Sequence, residues 1–127
     1  MIYYVTLGAH DVKAAKGFYD KVLKPLGYGV VKTEEYGIGY GPKGGPSSVW
    51  VMKPHDKRPA SFGNGTMVCL HAPSRKAVDE FHAAALAAGG VDEGAPGIRG
   101  GDGSNWYACY VRDLTGNKLS AVYDKPV

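Results

Sequence analysis

IYYVTLGAHDVKAAKGFYDKVLKPLG, residues 2–27, decides the fold, because the chain writes it twice. Ile2–Leu7 is a short β-branched and aromatic run, the composition of a strand. Asp11 then precedes an apolar series at Val12, Ala15, Phe18, Val22 and Leu26, the spacing of one buried helix face. Asp11 is the expected N-cap, since its carboxylate can accept the free amide hydrogens of the first turn. Pro25 and Gly27 are expected to end the helix, by removing a donor and by tolerating a left-handed exit. Sixty-three residues further on, Val5 becomes Val68, Leu7 becomes Leu70, Asp11 becomes Ser74, Phe18 becomes Phe81 and Gly27 becomes Gly90. One strand–helix unit is used twice without a gap.

Working outward, each unit continues into strands. Tyr28–Thr33 reads as a strand, and Tyr36–Tyr40 alternates side chains with glycines, which puts Tyr36, Ile38 and Tyr40 on one face. Pro42-Lys43-Gly44-Gly45-Pro46 reads as a turn and Ser48–Met52 as the return strand. The second unit opens with Thr66–His71, and Ser74 caps a helix stopped by Gly89-Gly90. Gly94–Ser104, with five glycines and Pro96, reads as a loop. Trp106–Arg112 and Lys118–Tyr123 flank a turn in which Asp113 bonds back to amides and Gly116 takes the left-handed region. The expected fold is therefore α+β, with two tandem β-α-β-β-β modules forming a cupped mixed sheet and helices packed outside. The 127 residues make a single domain: module one 1–56, a connector 57–65, and module two 66–127.

Composition narrows the classes. Apolar content of 44%, charged content of 21% and a net charge of +3 describe a globular chain of mild charge. The lysines are scattered and form no basic stripe, which argues against nucleic acid. No apolar run approaches the ~20 residues of a membrane helix, and Met1 leads straight into a strand, so the cytoplasm is the expected location. Cys69 and Cys109 are too few for a disulfide framework and lack zinc-ligand spacing. Nineteen glycines and nine tyrosines suggest tight hairpins around an aromatic-lined site.

The paired layout resembles the vicinal oxygen chelate superfamily, which includes glyoxalase I, bleomycin resistance proteins and extradiol dioxygenases. The echoes are Ile2-Tyr3-Tyr4-Val5-Thr6-Leu7-Gly8, Phe18-Tyr19-Asp20, Pro25-Leu26-Gly27-Tyr28, Ala72-Pro73-Ser74, Gly94-Ala95-Pro96-Gly97-Ile98-Arg99 and Tyr107–Asp113. The resemblance implies a cup that binds a small molecule, and frequent homodimers. Members that use a divalent metal take one ligand from each of four strands, usually His or Gln, Glu, His and Glu. Those positions fall here on Tyr4, Met67, Ser120, and Val49 or Trp50. A phenol, a thioether, a hydroxyl and an apolar or indole group are not the imidazole and carboxylate such ions want. No metal and no other cofactor is therefore expected.

Strand alternation would turn Tyr4 and Thr6 into the cup with Met67, Cys69 and His71, and add Tyr107, Cys109 and Ser120. His71 with Cys69 and Cys109 is either a soft metal site or a histidine beside two small apolar wall residues. His71 is the one imidazole placed to act as general acid–base, with a structural histidine near the rim as its other reading. Tyr36, Tyr40, Trp50 and Trp106 complete an aromatic wall, and Arg99 in the glycine-rich loop would meet a ligand anion. Two functions follow as expectations. One is a metal-free protein holding an aromatic or amphipathic metabolite or drug. The alternative is a glyoxalase-like lyase or isomerase, or a dioxygenase-type enzyme, with an atypical site.

Overall fold

A computed structural model of the chain describes all 127 residues. In chain order it holds β1 (Val5–Gly8), α1 (Val12–Val22), a 3-10 turn (Lys24–Leu26), β2 (Tyr28–Glu34), β3 (Gly37–Pro42) and β4 (Val49–Met52). Then come β5 (Met67–His71), α2 (Arg75–Ala87), β6 (Val91–Arg99), β7 (Trp106–Arg112) and β8 (Lys118–Tyr123). The strands form two four-stranded mixed sheets of matching order, β1-β4-β3-β2 and β5-β8-β7-β6. This is the expected α+β fold of two tandem modules, each module contributing its own mixed sheet, with no strand pairing between the two. In each, the first strand runs parallel to the last, and the remaining pairs are antiparallel.

The helix caps are those the sequence calls for. Asp11 accepts from the amides of Lys13 and Ala14 at 2.9 and 3.2 Å, and Ser74 accepts from Ala77 at 3.0 Å. The left-handed residues closing the two units are Gly27 (φ 86°) and Gly89 (φ 97°), so Gly89 rather than Gly90 answers to Gly27. Gly90 has another duty. A Cβ there would lie 2.7 Å from the Arg112 carbonyl oxygen and 2.8 Å from that of Ala85, so helix and strand meet at bare backbone.

The stretch expected as a loop, Gly94–Ser104, belongs in its first part to β6. Its ladder with β7 slips between Asp92 and Gly94 and again between Gly94 and Gly97. Those bulges, on an edge strand, are where a sheet tolerates glycine and Pro96, and they hide the strand from a reading by composition.

Helices α1 and α2 pack on each other, and the 3-10 turn also touches α2. The modules thereby share one core of 22 buried residues, drawn from both helices and one face of each sheet. Phe18, Val22 and Leu23 of the first module and Val78, Phe81 and Ala85 of the second are fully enclosed. Burying side chains of this size contributes roughly 1.5–3 kcal/mol each, so neither module is complete without the other. The sheet faces turned away from the helices lie outside this core.

Candidate functional site

Ladder register sorts every strand residue onto a helix-facing or an outer side. Leu7, Val49, Val51, Ile38 and Tyr40 are buried against α1. The outer side of the first sheet therefore carries Tyr4 and Thr6, both exposed, and Trp50 and Met52, both half-buried. Thr6 pairs with Trp50 as Cys69 pairs with Ser120, which makes Trp50, not Val49, the counterpart of Ser120.

Gly37, Gly39 and Gly41 of β3 form the floor of this outer face. A Cβ on Gly37 would meet Met52 Cβ at 2.5 Å, and one on Gly39 would stand 3.0 Å from Trp50 Cζ2. The indole edge thus lies over backbone at Gly39, and the β4 chain at Met52 approaches backbone at Gly37, where any other residue would hold them off. Tyr36 stacks on Trp50, with ring centroids 6.2 Å apart and planes 27° from parallel. Tyr36 precedes β3 and sits in the turn, so it escapes the alternation that was expected to group it with Ile38 and Tyr40. Tyr40 is on the opposite side, fully buried, and its hydroxyl donates to Asp20 Oδ1 at 2.8 Å. Burial, then that hydrogen bond, push its pKa up, so it is a structural phenol and no part of the site.

Beside the Tyr36–Trp50 pair opens a cavity of about 1040 Å³, walled by Tyr36, Met52, Lys53–His55 and Lys57–Ala60. Ala9 and Ala60 add apolar wall; His10 and His55 line it too. Lys53, Lys57 and Arg58 also line it, and none makes an ion pair, against the single carboxylate of Glu35. Glu34, by contrast, is engaged by Lys32 at 3.3 Å. Lys57 holds a left-handed backbone (φ 64°), fixed by its amide donating to the Pro54 carbonyl at 3.0 Å. The wall crosses the boundary between module one and the connector, where the sequence carries no periodic pattern; the proline-rich turn Pro54–Pro59 is its one signal.

On the second sheet, Met67, Cys69 and His71 are exposed on the outer side, as alternation implies. Tyr107 and Cys109 are not with them, which corrects the expected cup wall. The Tyr107 hydroxyl donates to Asp79 Oδ1 of α2 at 2.6 Å, and Arg75 of the same helix stacks 5.1 Å from the ring centre. Cys109 Sγ donates to the Val78 carbonyl at 3.7 Å. Burial pushes the Cys109 thiol up to about 11. The outer residues of β7 are instead Trp106, Ala108, Tyr110 and Arg112. Both alternating sets of Trp106–Arg112 contain large or aromatic residues, so polarity could not say which set faces the helix.

Arg99 closes β6, half-buried on this outer side, with its guanidinium carbon 5.6 Å from the Tyr110 ring centre. Ser120 is wholly enclosed between its ladder partners Cys69 and Tyr110, and its hydroxyl has no hydrogen-bond partner. His82 of α2 is mostly covered and joins Asp92 Oδ1 at 2.9 Å, which holds the Asp92 carboxyl below its ordinary range.

The metal positions of the resembled superfamily do not fit a divalent ion here. Tyr4, Trp50, Met67 and Ser120 bring no imidazole or carboxylate, and no three His, Cys, Asp or Glu side chains gather as a ligand set. Cys109 lies across the sheet from Cys69 and His71, so the soft site weighed from the sequence does not assemble.

Comparison with solved structures finds the chain similar to a glyoxalase/bleomycin resistance protein from Albidiferax ferrireducens, with 34% identity over 97% of each chain and a TM-score of 0.84. A lactoylglutathione lyase from Agrobacterium tumefaciens is similar at 25% identity, over 96% of this chain and 92% of its own, with a TM-score of 0.62. A glyoxalase-related enzyme from Fulvimarina pelagi shares the fold at 19% identity, over 98% and 88% of the two chains, with a TM-score of 0.73. No family model matches the sequence, and no curated protein does.

Proposed function

The chain belongs to the glyoxalase/bleomycin resistance family of the vicinal oxygen chelate superfamily, and on that premise we propose that it is a metal-independent protein binding an aromatic or amphipathic small molecule. The observation that carries this reading is the stacked Tyr36–Trp50 pair on a glycine floor, beside a cavity of about 1040 Å³. Tyr36 at a cavity of this size, backed by Trp50, offers a flat ligand a stacking surface while the ligand's edges reach polar groups. Met52, Ala9 and Ala60 supply apolar contact, and Lys53, Lys57 and Arg58 supply charge at the rim. The family's metal chemistry has no donor set in this chain, so binding needs no ion. The reading is one of sequestration: the site holds its ligand by surface complementarity, with no step of bond making.

The test is titration of the purified protein with a panel of aromatic compounds, followed by Trp fluorescence and calorimetry. Trp50→Ala is expected to weaken the best binder by roughly 1–3 kcal/mol, the range for losing a stacking anchor. Unchanged affinity in that variant, or absence of any binder that quenches Trp50, would overturn the assignment. Elemental analysis of the same preparation is expected to find no stoichiometric divalent metal. About one equivalent per chain would restore the enzymatic alternative.

A further inference from the structure

We propose that the ligand of the cavity beside Tyr36 and Trp50 is an aromatic acid, its ring on Tyr36 and its carboxylate or phosphate in the field of Lys53, Lys57 and Arg58. This rests on the aromatic-site reading and names the class of ligand that such a site selects. Three cations against the one carboxylate of Glu35 leave the cavity wall at +2 with its histidines neutral. The whole chain carries +3, so twelve lining residues hold two of its three net charges. None of these cations forms an ion pair. None lies over an aromatic ring either, unlike Arg75, Arg99, Arg112 and Lys118. Asp56, within the same segment, does not offset them. It is not part of the wall, and its Oδ1 accepts from the Arg58 amide at 2.9 Å. The charge of the three side chains is left to the cavity.

The backbone sets these cations beside the stacking face. The Lys53 amide donates to the Tyr36 carbonyl at 2.9 Å, so a lysine stem starts next to the residue that offers its ring to the ligand. The Lys57 amide donates to the Pro54 carbonyl at 3.0 Å, closing the turn that carries Lys57 and Arg58 on the same wall. Ala60, buried, anchors the far end of the segment close to Gly8, where an added Cβ would stand 3.1 Å from its own. The main chain of the wall is thus held at both ends, and filling the cavity costs little further ordering of backbone. An entering anion gains from the summed field of the wall. That gain requires no bidentate contact and reaches over a Debye length of ~8 Å at physiological ionic strength. A cation of the same shape is repelled, so the wall discriminates by charge where the aromatic face alone would not.

The probes are 2-naphthoate, 2-naphthamide and 2-naphthylmethylammonium, one ring system in three charge states, titrated by calorimetry at low and at high salt. Naphthoate is expected to bind at least about fivefold more tightly than naphthamide, and the ammonium compound more weakly than either, with the gap closing as salt rises. The Lys57→Gln/Arg58→Gln double variant should lower the naphthoate-to-naphthamide affinity ratio at least about threefold. Lys53→Gln alone should lower it by less, which keeps the test open if the double variant folds poorly. Lys76→Gln, the same loss of charge on α2 outside the wall, should keep the wild-type ratio. 2-Naphthyl phosphate separates the two acids: tighter binding than naphthoate names a phosphate, weaker binding a carboxylate, and either supports the proposal. Equal affinity for naphthoate and naphthamide, both weakened by Trp50→Ala, would overturn the acid and leave the aromatic site standing. A preference for naphthoate that survives in the charge-neutral variants would place the anion elsewhere and overturn it too. Binding of none of the four compounds would remove the aromatic site along with it.

Discussion

Cys109 and Cys69 differ by which side of one sheet they occupy. Cys109 is fully enclosed beneath α2, where desolvation holds its thiol protonated up to about 11, whereas Cys69 is exposed on the outer face. A disulfide reagent at pH 8 is expected to modify one thiol per native chain, and none in Cys69→Ser. Two fast equivalents would show that α2 does not cover Cys109. The raised value also bears on stability. The unfolded thiol ionises near 9.0 and the folded one at about 11, so the contribution of the protonated, buried group is whole below about pH 9 and lost as pH rises toward about 11. Burial likewise raises Tyr19 and Tyr40. The urea midpoint should therefore fall across that alkaline window; a midpoint constant from pH 8 to 11 would contradict the buried placement.

At the scale of the element, β3 shows how a strand makes a binding surface by omission. Ile38 and Tyr40 fill the helix side while Gly37, Gly39 and Gly41 leave the other side empty, and Trp50 and Met52 from β4 lie across it. A side chain at Gly37 would collide with the Val51 carbonyl oxygen at 2.7 Å as well as with Met52, so the neighbour that must move is partly backbone. Gly37→Val is expected to destabilise the protein by about 1–3 kcal/mol, the range for overpacking, as measured by denaturant unfolding. At Gly39 the obstacles are Ser47 and the far edge of Trp50, which can swing. Gly39→Ala should consequently lose aromatic-ligand affinity while keeping more of the fold. Equal stability losses at the two sites, with binding retained at Gly39→Ala, would separate the floor from the function.

Across the whole molecule, the two modules are bound by polar contacts as well as by the shared core. Asp113, buried in the β7–β8 turn, accepts from the Tyr19 hydroxyl of α1 at 2.5 Å and from the amides of Thr115 and Asn117 at 2.9 and 2.8 Å. The Asn117 side chain donates to Asp113 and also to the Gly8 carbonyl, both at 2.9 Å, and the His10 amide donates to Thr115 Oγ1 at 3.3 Å. One turn of the second module thus caps the first module's opening strand and helix. Asp113→Ala would leave a buried phenol and two amides without their acceptor, and is expected to cost roughly 3 kcal/mol, detectable as a lowered urea midpoint. Because both modules lose the contact together, unfolding should remain a single transition by fluorescence and by circular dichroism. Two separated transitions would mean that the modules fold independently.

The sequence by itself determined the modules, their repeat, the caps at Asp11 and Ser74, and the final hairpin Trp106–Tyr123, which the structure reproduces residue for residue. These are local matters: a cap, a 3.6-residue stripe and a tight turn are each specified within a few neighbouring residues. Only the tertiary structure decided which side of a strand meets the helix. Alternation sorts a strand into two sets but does not orient them, and where both sets are apolar, as in β7, packing against α2 makes the choice. The same packing placed Tyr40 inside and left Tyr36 on Trp50, and it turned Tyr107 and Cys109 to the helix side, leaving Tyr110 beside the expected Trp106 on the open face. The cavity that sets Ala9 and Tyr36 against Lys53–Ala60, and the approach of Arg99 and of Lys118 to the Tyr110 ring, join residues distant in the chain, through contacts that exist only once each sheet has formed.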